Sequence, residues 1–442
     1  MATSIAAATL RLKEQVRHFL SAEFVGGVAR DCGVRVGRTP LAVPALVAHF
    51  ARQILAGNVS MPELAHMAGS TFTPEAYCIA RQRLPLALLQ SLLAHLQPPA
   101  AEASLAWRGH RLWHLDGSSF SMPDTPELQK QFGQPAAQKP GCGFPVAHIL
   151  CLFDARTGLV RQCLVNPQRT HDMAPVAGIH PALAKGDVLV ADRAFESFAH
   201  LALLTSRGIH AVMGMHQKRK ADFVRKERRT GKRRQRVERQ RIRRCGARDQ
   251  VVRWTKPKQR PGWMSKEAYA ALPQTLEVRE IKREVRLASG WRTIVLVTTL
   301  LDEKAYPALE IMALLKERWQ IEVNLRHLKS TMHMDILRSQ SVEGVKKELL
   351  MFLIVYNLVR LIMREAAERQ QVACTRISFA DALYWMRHGN LAAPLPRLAL
   401  LPQRPGRVEP RALKRRPTVY TYLTKPRRSG RHNKAVPMLE YF

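Results

Sequence analysis

Residues 317–329 read Glu317-Arg318-Trp319-Gln320-Ile321-Glu322-Val323-Asn324-Leu325-Arg326-His327-Leu328-Lys329. No Pro or Gly interrupts the chain from Ala308 to Val342, which predicts a long helix within that span. With Arg318 at zero and about 100° per residue, Glu322 falls at about 40°, Lys329 at about 20° and Arg326 at about 80°. One carboxylate and three cations therefore share a face. Leu314, Ile321, Leu325 and Leu328 occupy the neighbouring face, which can pack on a core. Taken alone, the plainer reading is a solvated surface with spaced ion pairs, worth a few tenths of a kcal/mol. The rest of the chain changes that balance, because it offers two isolated carboxylates on strands that can meet Glu322.

The chain has 442 residues, enough for two or three domains and a sizeable core. Its 70 Lys and Arg against 35 acidic residues give a formal net charge of +35, far beyond what solubility needs. A polyanion is the simplest partner, and nucleic acid is the commonest one. A membrane surface is the weaker alternative, since neither terminus shows a basic amphipathic helix with a clean apolar face. The seven cysteines are scattered without a C-x-x-C pair, which argues against a zinc module and a secreted disulfide framework. Met1–Leu20 carries charges where a signal peptide needs an apolar run. Leu349–Val359 is too short to span a bilayer. A cytoplasmic protein without a membrane partner is the expectation.

Residues 1–96 read as helical. Leu41–Leu55 is a periodic apolar helix. Ser60-Met61-Pro62-Glu63 is a capping box with Pro in the first turn, opening a short helix to Met67. Thr73-Pro74-Glu75 opens another, through Arg81 and Arg83 to Leu84. Such a pair fits a helix-turn-helix with Arg81 and Arg83 facing DNA, and it fits an ordinary helical bundle as well. After a Pro- and Ala-rich linker, residues 105–213 switch to strands. Arg111–Asp116 is a strand ending at Asp116-Gly117. Val146–Phe153 and Leu159–Val165 flank a hairpin turn at 154–158. Met173–Lys185 reads as a helix weakened by Pro175, Gly178 and Pro181. Val188–Ala191 is a buried strand ending at Asp192, followed by a helix at Phe198–Ser206 and a strand at Ile209–Met213. Hairpins first and crossovers later predict a mixed sheet with helices on its faces.

Residues 214–305 form a β-rich insertion. Within residues 214–260 twenty Lys or Arg face four acids, including Lys232, Arg233 and Arg234. That density makes a basic arm or a solvated loop. Trp254 and Trp263 sit among these cations, where an indole can stack on a base or belong to the core. Strands resume at Val251–Trp254, Leu276–Leu287 and Thr293–Leu300. Residues 306–400 hold the helix of Glu322, a long buried helix at Val345–Gln370 and a shorter one at Phe379–Met386. Residues 401–442 are a basic, Pro-containing tail.

Asp116 and Asp192 each close an apolar strand. If those strands are neighbours and parallel, their C-terminal ends bring the carboxylates together, where open α/β sheets place their ligands. Three carboxylates without Cys or His suit hard divalent ions, Mg²⁺ or Mn²⁺. Two such ions about 3.5–4 Å apart can activate a water and stabilise the leaving oxygen of a phosphodiester.

Leu115-Asp116-Gly117, Ala191-Asp192-Arg193-Ala194-Phe195 and Arg318-Trp319-Gln320-Ile321-Glu322 with Leu328-Lys329 resemble the DDE transposases of the insertion-sequence-four family. That family's signature is Tyr, two residues, Arg, three residues, Glu, six residues, Lys. Arg318, Glu322 and Lys329 match its spacing, and Leu315 stands at the Tyr position. The resemblance implies an α/β, RNase H-like mixed sheet with a β-rich insertion, beside an all-helical N-terminal DNA-binding domain. It implies Asp116, Asp192 and Glu322 as catalytic ligands of two Mg²⁺ or Mn²⁺ ions, with Arg318, Lys329 and Arg326 on element-end DNA. It also implies double-stranded DNA, both transposon ends and target, as partner, with cut-and-paste transposition through a homodimer and a hairpin step in some relatives. A DNA-binding regulator without catalysis and a metal-dependent nuclease of the same fold are the alternative functions.

Overall fold

The structure, a computed structural model, describes residues 18–97, 107–167, 173–219, 221–223, 239–287, 290–335, 337–389 and 395–402. Lys232, Arg233 and Arg234 lie outside the described residues, as does the tail beyond residue 402.

Among the described residues five helices come first: α1 (Ala22–Asp31), α2 (Val43–Leu55), α3 (Met61–Met67), α4 (Pro74–Arg83) and α5 (Leu86–His95). Their starts follow local chemistry. The Ser60 hydroxyl accepts from Glu63 N at α3, and that of Thr73 accepts from Ala76 N at α4; each such cap is worth about 1 kcal/mol. The apolar faces of these helices, through Phe50, Leu64, Leu88 and Leu92, share one core with the later helix α11 (Val342–Gln370) and with strand residues such as Ile149 and Phe153.

The sheet is one continuous layer of nine strands in the order β3-β2-β1-β4-β5-β9-β8-β7-β6. These are β1 (Leu112–Ser121), β2 (Val146–Asp154), β3 (Val160–Pro167), β4 (Val188–Ala191) and β5 (His210–Gly214), then β6 (Arg239–Gly246), β7 (Asp249–Thr255), β8 (Thr275–Leu287) and β9 (Gly290–Thr298). β1, β4 and β5 are parallel neighbours, and β2 runs antiparallel to β1. The insertion's strands extend this same sheet, because β9 pairs antiparallel with β5. β6 falls in the basic arm, where no apolar alternation announces a strand. Its ladder with β7 holds it.

Side chains alternate between the sheet's two faces. Leu115, Leu150, Leu189 and Ala191 pack against α7 (Phe198–Ser206) on one side. Val188, Val190 and Val212 face the other, against Ile311 and Leu314 of α9 (Ala308–Glu317). The remaining helices among the described residues are α6 (Pro126–Gln131), α8 (Lys266–Ala271), α10 (Trp319–Arg326) and α12 (Phe379–His388).

Three expectations change. The span 173–185 contains only short 3-10 turns at Val176–Gly178 and His180–Ala182, since Pro175 and Pro181 deny the helix its donors. β1 does not end at Asp116 but runs on to Ser121. Gly117 is not a turn residue but lies within the ladder of β1 with β2, and a Cβ there would stand 2.5 Å from His148 Cε1, so the glycine leaves the place of that ring open. The stretch 308–342 is not one continuous helix. It breaks between α9 and α10 at Arg318, where Ile321 N donates to Arg318 O only three residues back. It then loosens into a π-turn at His327–Thr331, closed by Met332 N donating to His327 O. No helix among the described residues is long and apolar enough to cross a membrane.

Candidate active site

The parallel register of β1 and β4 pairs Leu115 with Ala191. The next residue in each case is an aspartate, Asp116 still within β1 and Asp192 just past the end of β4, so the two stand at neighbouring places on the sheet. Alternation turns both away from the α7 face. Each is oriented by its own backbone: Asp116 Oδ1 accepts from Gly117 N at 2.8 Å, and Asp192 Oδ1 accepts from Arg193 N at 2.7 Å.

Glu322 reaches them from α10 through Arg318. One guanidinium nitrogen of Arg318 is 3.4 Å from Asp116 Oδ2, and the other is 3.3 Å from Glu322 Oε1. Lys329 Nζ donates to Ser119 O at 2.6 Å, two residues along from Gly117 on β1. The π-turn sets that reach, because an extra residue in the turn rotates Lys329 away from its ideal-helix position. The helical face expected from residues 317–329 thus lies on the sheet at Asp116, with Arg318 as the link.

Burial raises the pKa of Asp116. The Gly117 amide and Arg318 oppose that, and the charges of Asp192 and Glu322 add to it. Three carboxylates in one half-buried place repel one another, and a cation relieves the repulsion. All their donor atoms are hard oxygens, which fit Mg²⁺ or Mn²⁺. Among the described residues no group of three His, Cys, Asp or Glu is gathered closely enough to hold a metal as it stands; Arg318 lies between Asp116 and Glu322. Beneath them, burial and then Arg318 push the pKa of His114 down to about 4, which keeps it neutral at pH 7. A neutral buried imidazole fits a packing role in the layer below the carboxylates.

The raised pKa of Asp116 carries a stability consequence. Its folded value lies above the unfolded value of about 3.9, so the folded state binds the proton more tightly. Stability is therefore lost as pH rises through that window. Asp116→Asn keeps the acceptor for Gly117 N and removes the charge. With chelator present it should melt higher than the wild type at pH 7, and the gain should vanish below about pH 4. A lower melting temperature at pH 7 would show that the pairing with Arg318 outweighs desolvation.

Arg81 is partly buried rather than presented to solvent. Its guanidinium lies 3.8 Å from the centre of the Phe50 ring and donates to Gln53 Oε1 at 3.0 Å. Lys347 of α11 caps the end of α4 by donating to Gln82 O at 2.7 Å. Arg83, in contrast, is exposed. Trp254 is corrected from a stacking candidate to a core residue. It is 1% exposed, donates to Glu280 Oε1 at 3.1 Å and carries the Arg219 guanidinium 3.8 Å above its ring. Trp263 packs partly buried on the same core. The exposed indoles are Trp319, 64% accessible and next to Arg318, and Trp291, 72% accessible on β9. Both occur in sequence beside a cation, as Trp254 does, so the sequence holds no signal that separates them. Leu315 is packed against the core of Val188, Val190 and Ile311.

The family model described as the transposase DDE domain matches residues 107–358, a stretch containing Asp116, Asp192 and Glu322. The transposase InsG for insertion sequence element IS4 of Escherichia coli strain K12 is 24% identical over 345 residues, 73% of this chain and 71% of that protein. The putative transposase InsZ of the same strain is 26% identical over 133 residues, 29% of this chain and 44% of that protein. A solved structure of a piggyBac transposase synaptic complex with hairpin DNA is similar over 86% of this chain and 79% of that chain, at 8% identity and a TM-score of 0.45.

Proposed function

The chain belongs to the transposase DDE-domain family, and we propose that it binds the ends of a mobile DNA element, cleaves their phosphodiester bonds and joins them to target DNA. The observation that carries this reading is that Arg318 bridges Asp116 and Glu322, carboxylates from distant parts of the chain, with Asp192 close enough to act on Asp116. Asp116 on β1 and Asp192 just past the end of the parallel neighbour β4 are adjacent, and Glu322 is tied to Asp116 through Arg318. The strand order β3-β2-β1-β4-β5, with β2 alone reversed beside the three parallel strands, supports an RNase H-like core extended by the β6–β9 insertion.

Asp116, Asp192 and Glu322 would hold Mg²⁺ or Mn²⁺, which when bound supplies an activated water and stabilises the leaving oxygen. The protein's own groups do the rest. Arg318 and Lys329 hold the phosphates of the strand being cut. Arg326 and Arg83 extend the cationic surface along the duplex. Trp319 offers an exposed aromatic face beside the reacting phosphate. A second copy of the chain brings the two element ends together, and a hairpin at the end is one route by which the second strand can be cut.

The reaction is tested with the protein, Mg²⁺ and the DNA flanking its gene. Cuts mapping to the element borders, and joined products when target DNA is added, are the expected result. Binding without cutting would favour a DNA-binding regulator, and cutting at unrelated sequences a nuclease. The basic arm gives a second test. Each lost phosphate contact should reduce the slope of log K against log salt by about 0.9. Replacing Lys232, Arg233 and Arg234 with alanine should therefore weaken binding to element ends and random DNA alike. An unchanged salt slope would remove these three residues from the DNA surface.

A further inference from the structure

Arg318 holds two carboxylates with two different nitrogens, at 3.4 Å to Asp116 and 3.3 Å to Glu322. Its side chain is 15% exposed, against 24% for Asp116 and 39% for Glu322, so the contact to Asp116 is the more sheltered of the two. Both distances are long for charge-assisted hydrogen bonds, which close to about 2.7–2.9 Å. The guanidinium therefore balances charge here without a tight bidentate grip. Arg318 also sits at the joint where the helical ladder breaks between α9 and α10. A divalent ion on the same oxygens and a guanidinium between them repel each other. A planar fork of N–H donors finds a better partner in a DNA phosphate.

We propose that Arg318 is a two-position cation that links DNA binding to metal binding. In the free protein it neutralises Asp116 and Glu322 and so competes with a divalent ion. When a DNA phosphate arrives, Arg318 exchanges the carboxylates for it, and the oxygens it leaves become available to the ion. This rests on the carboxylate reading of the site given above. Linkage is reciprocal: if DNA tightens metal binding by some factor, the metal tightens DNA binding by the same factor. Typical couplings between sites are about 5- to 150-fold.

The test is Mn²⁺ affinity of the full-length protein, measured by calorimetry or by the Mn²⁺ electron paramagnetic resonance signal. It is made without DNA and with a saturating pre-cut duplex of the element end. Wild type should bind Mn²⁺ about tenfold tighter with the duplex. Arg318→Met should bind Mn²⁺ without DNA about as tightly as wild type does with it, and the duplex should add little. Lys185→Met removes an exposed positive charge ahead of β4, at the opposite end of that strand from Asp192, and should keep the dependence on DNA. The proposal is overturned if Arg318→Met binds Mn²⁺ no tighter than wild type in the absence of DNA, or keeps the full response to the duplex. Asp116→Asn separates this from failure of the underlying reading. If that variant binds Mn²⁺ like wild type, the ion is not held by these carboxylates and both ideas fall.

Discussion

Glu322→Ala should bind element-end DNA in a gel-shift assay and fail to nick it in Mg²⁺ or Mn²⁺, and Asp116→Asn and Asp192→Asn should do the same. A metal ion that polarises the reacting oxygens contributes several kcal/mol to transition-state stabilisation, and about 4 kcal/mol is a thousandfold in rate. Loss of a ligand should therefore lower the nicking rate by about a thousandfold or more. Phosphate contacts supply most of the affinity of proteins for DNA, and a chain of net charge +35 has cations to spare for them, so binding should change little. The three carboxylates are partly buried and reached from separate elements, and none closes a hydrophobic layer, so the variants should fold. Glu322→Ala cutting at the wild-type rate would remove Glu322 from the site. The exposed Glu317 would then be next to test. Glu343 is less suited, because it pairs with Lys347 at 2.8 Å at the start of α11.

The placement of the candidate carboxylates was legible in the sequence where a local pattern fixes it. An apolar strand that stops at an aspartate is such a pattern, and Asp192 stands where Val188–Ala191 places it. That β1 and β4 are parallel neighbours is a matter of topology, which strand patterns only allow. Asp116 shows the difference: read locally, Asp-Gly is a turn, yet β1 continues to Ser121 because its ladder with β2 runs on to the Ser121–Val146 pair. Helix propensity misleads in the same way at Arg318. Nothing in residues 308–342 breaks a helix locally, and both the joint and the π-turn lie where the chain must set Arg318 and Lys329 against β1. The tryptophans mark the limit. Trp254 and Trp319 both neighbour cations in sequence, and only the strand pairing that brings Glu280 to Trp254 Nε1 makes one of them core.

Asp249→Ala should be the most destabilising single change in the insertion, at about 3–5 kcal/mol, because it strands a buried charge. Arg279 is fully buried, and its guanidinium donates twice to Asp249, at 2.8 and 2.5 Å. Its remaining terminal nitrogen donates to Tyr306 O at 2.6 Å. Tyr306 precedes Pro307, the N-cap of α9, and its hydroxyl lies 2.8 Å from His110 Nε2. The pair therefore fastens β7 and β8 to the start of the helices that carry Arg318 and Glu322, and cleavage should weaken along with stability. In chemical denaturation the midpoint should fall with little change in slope. A double variant, Asp249→Leu with Arg279→Met, distinguishes an orphaned charge from a lost attraction. Replacing both members of a buried ion pair by apolar groups of similar size is often nearly neutral. The double variant should therefore recover most of the stability, short by about 1 kcal/mol for the donor that Tyr306 O no longer has. Its cleavage rate should recover less, since the bond that fixes the start of α9 is still missing. If the double variant is as unstable as Asp249→Ala, the cost does not arise from an uncompensated charge, and the packing of β7 on β8 would have to account for it.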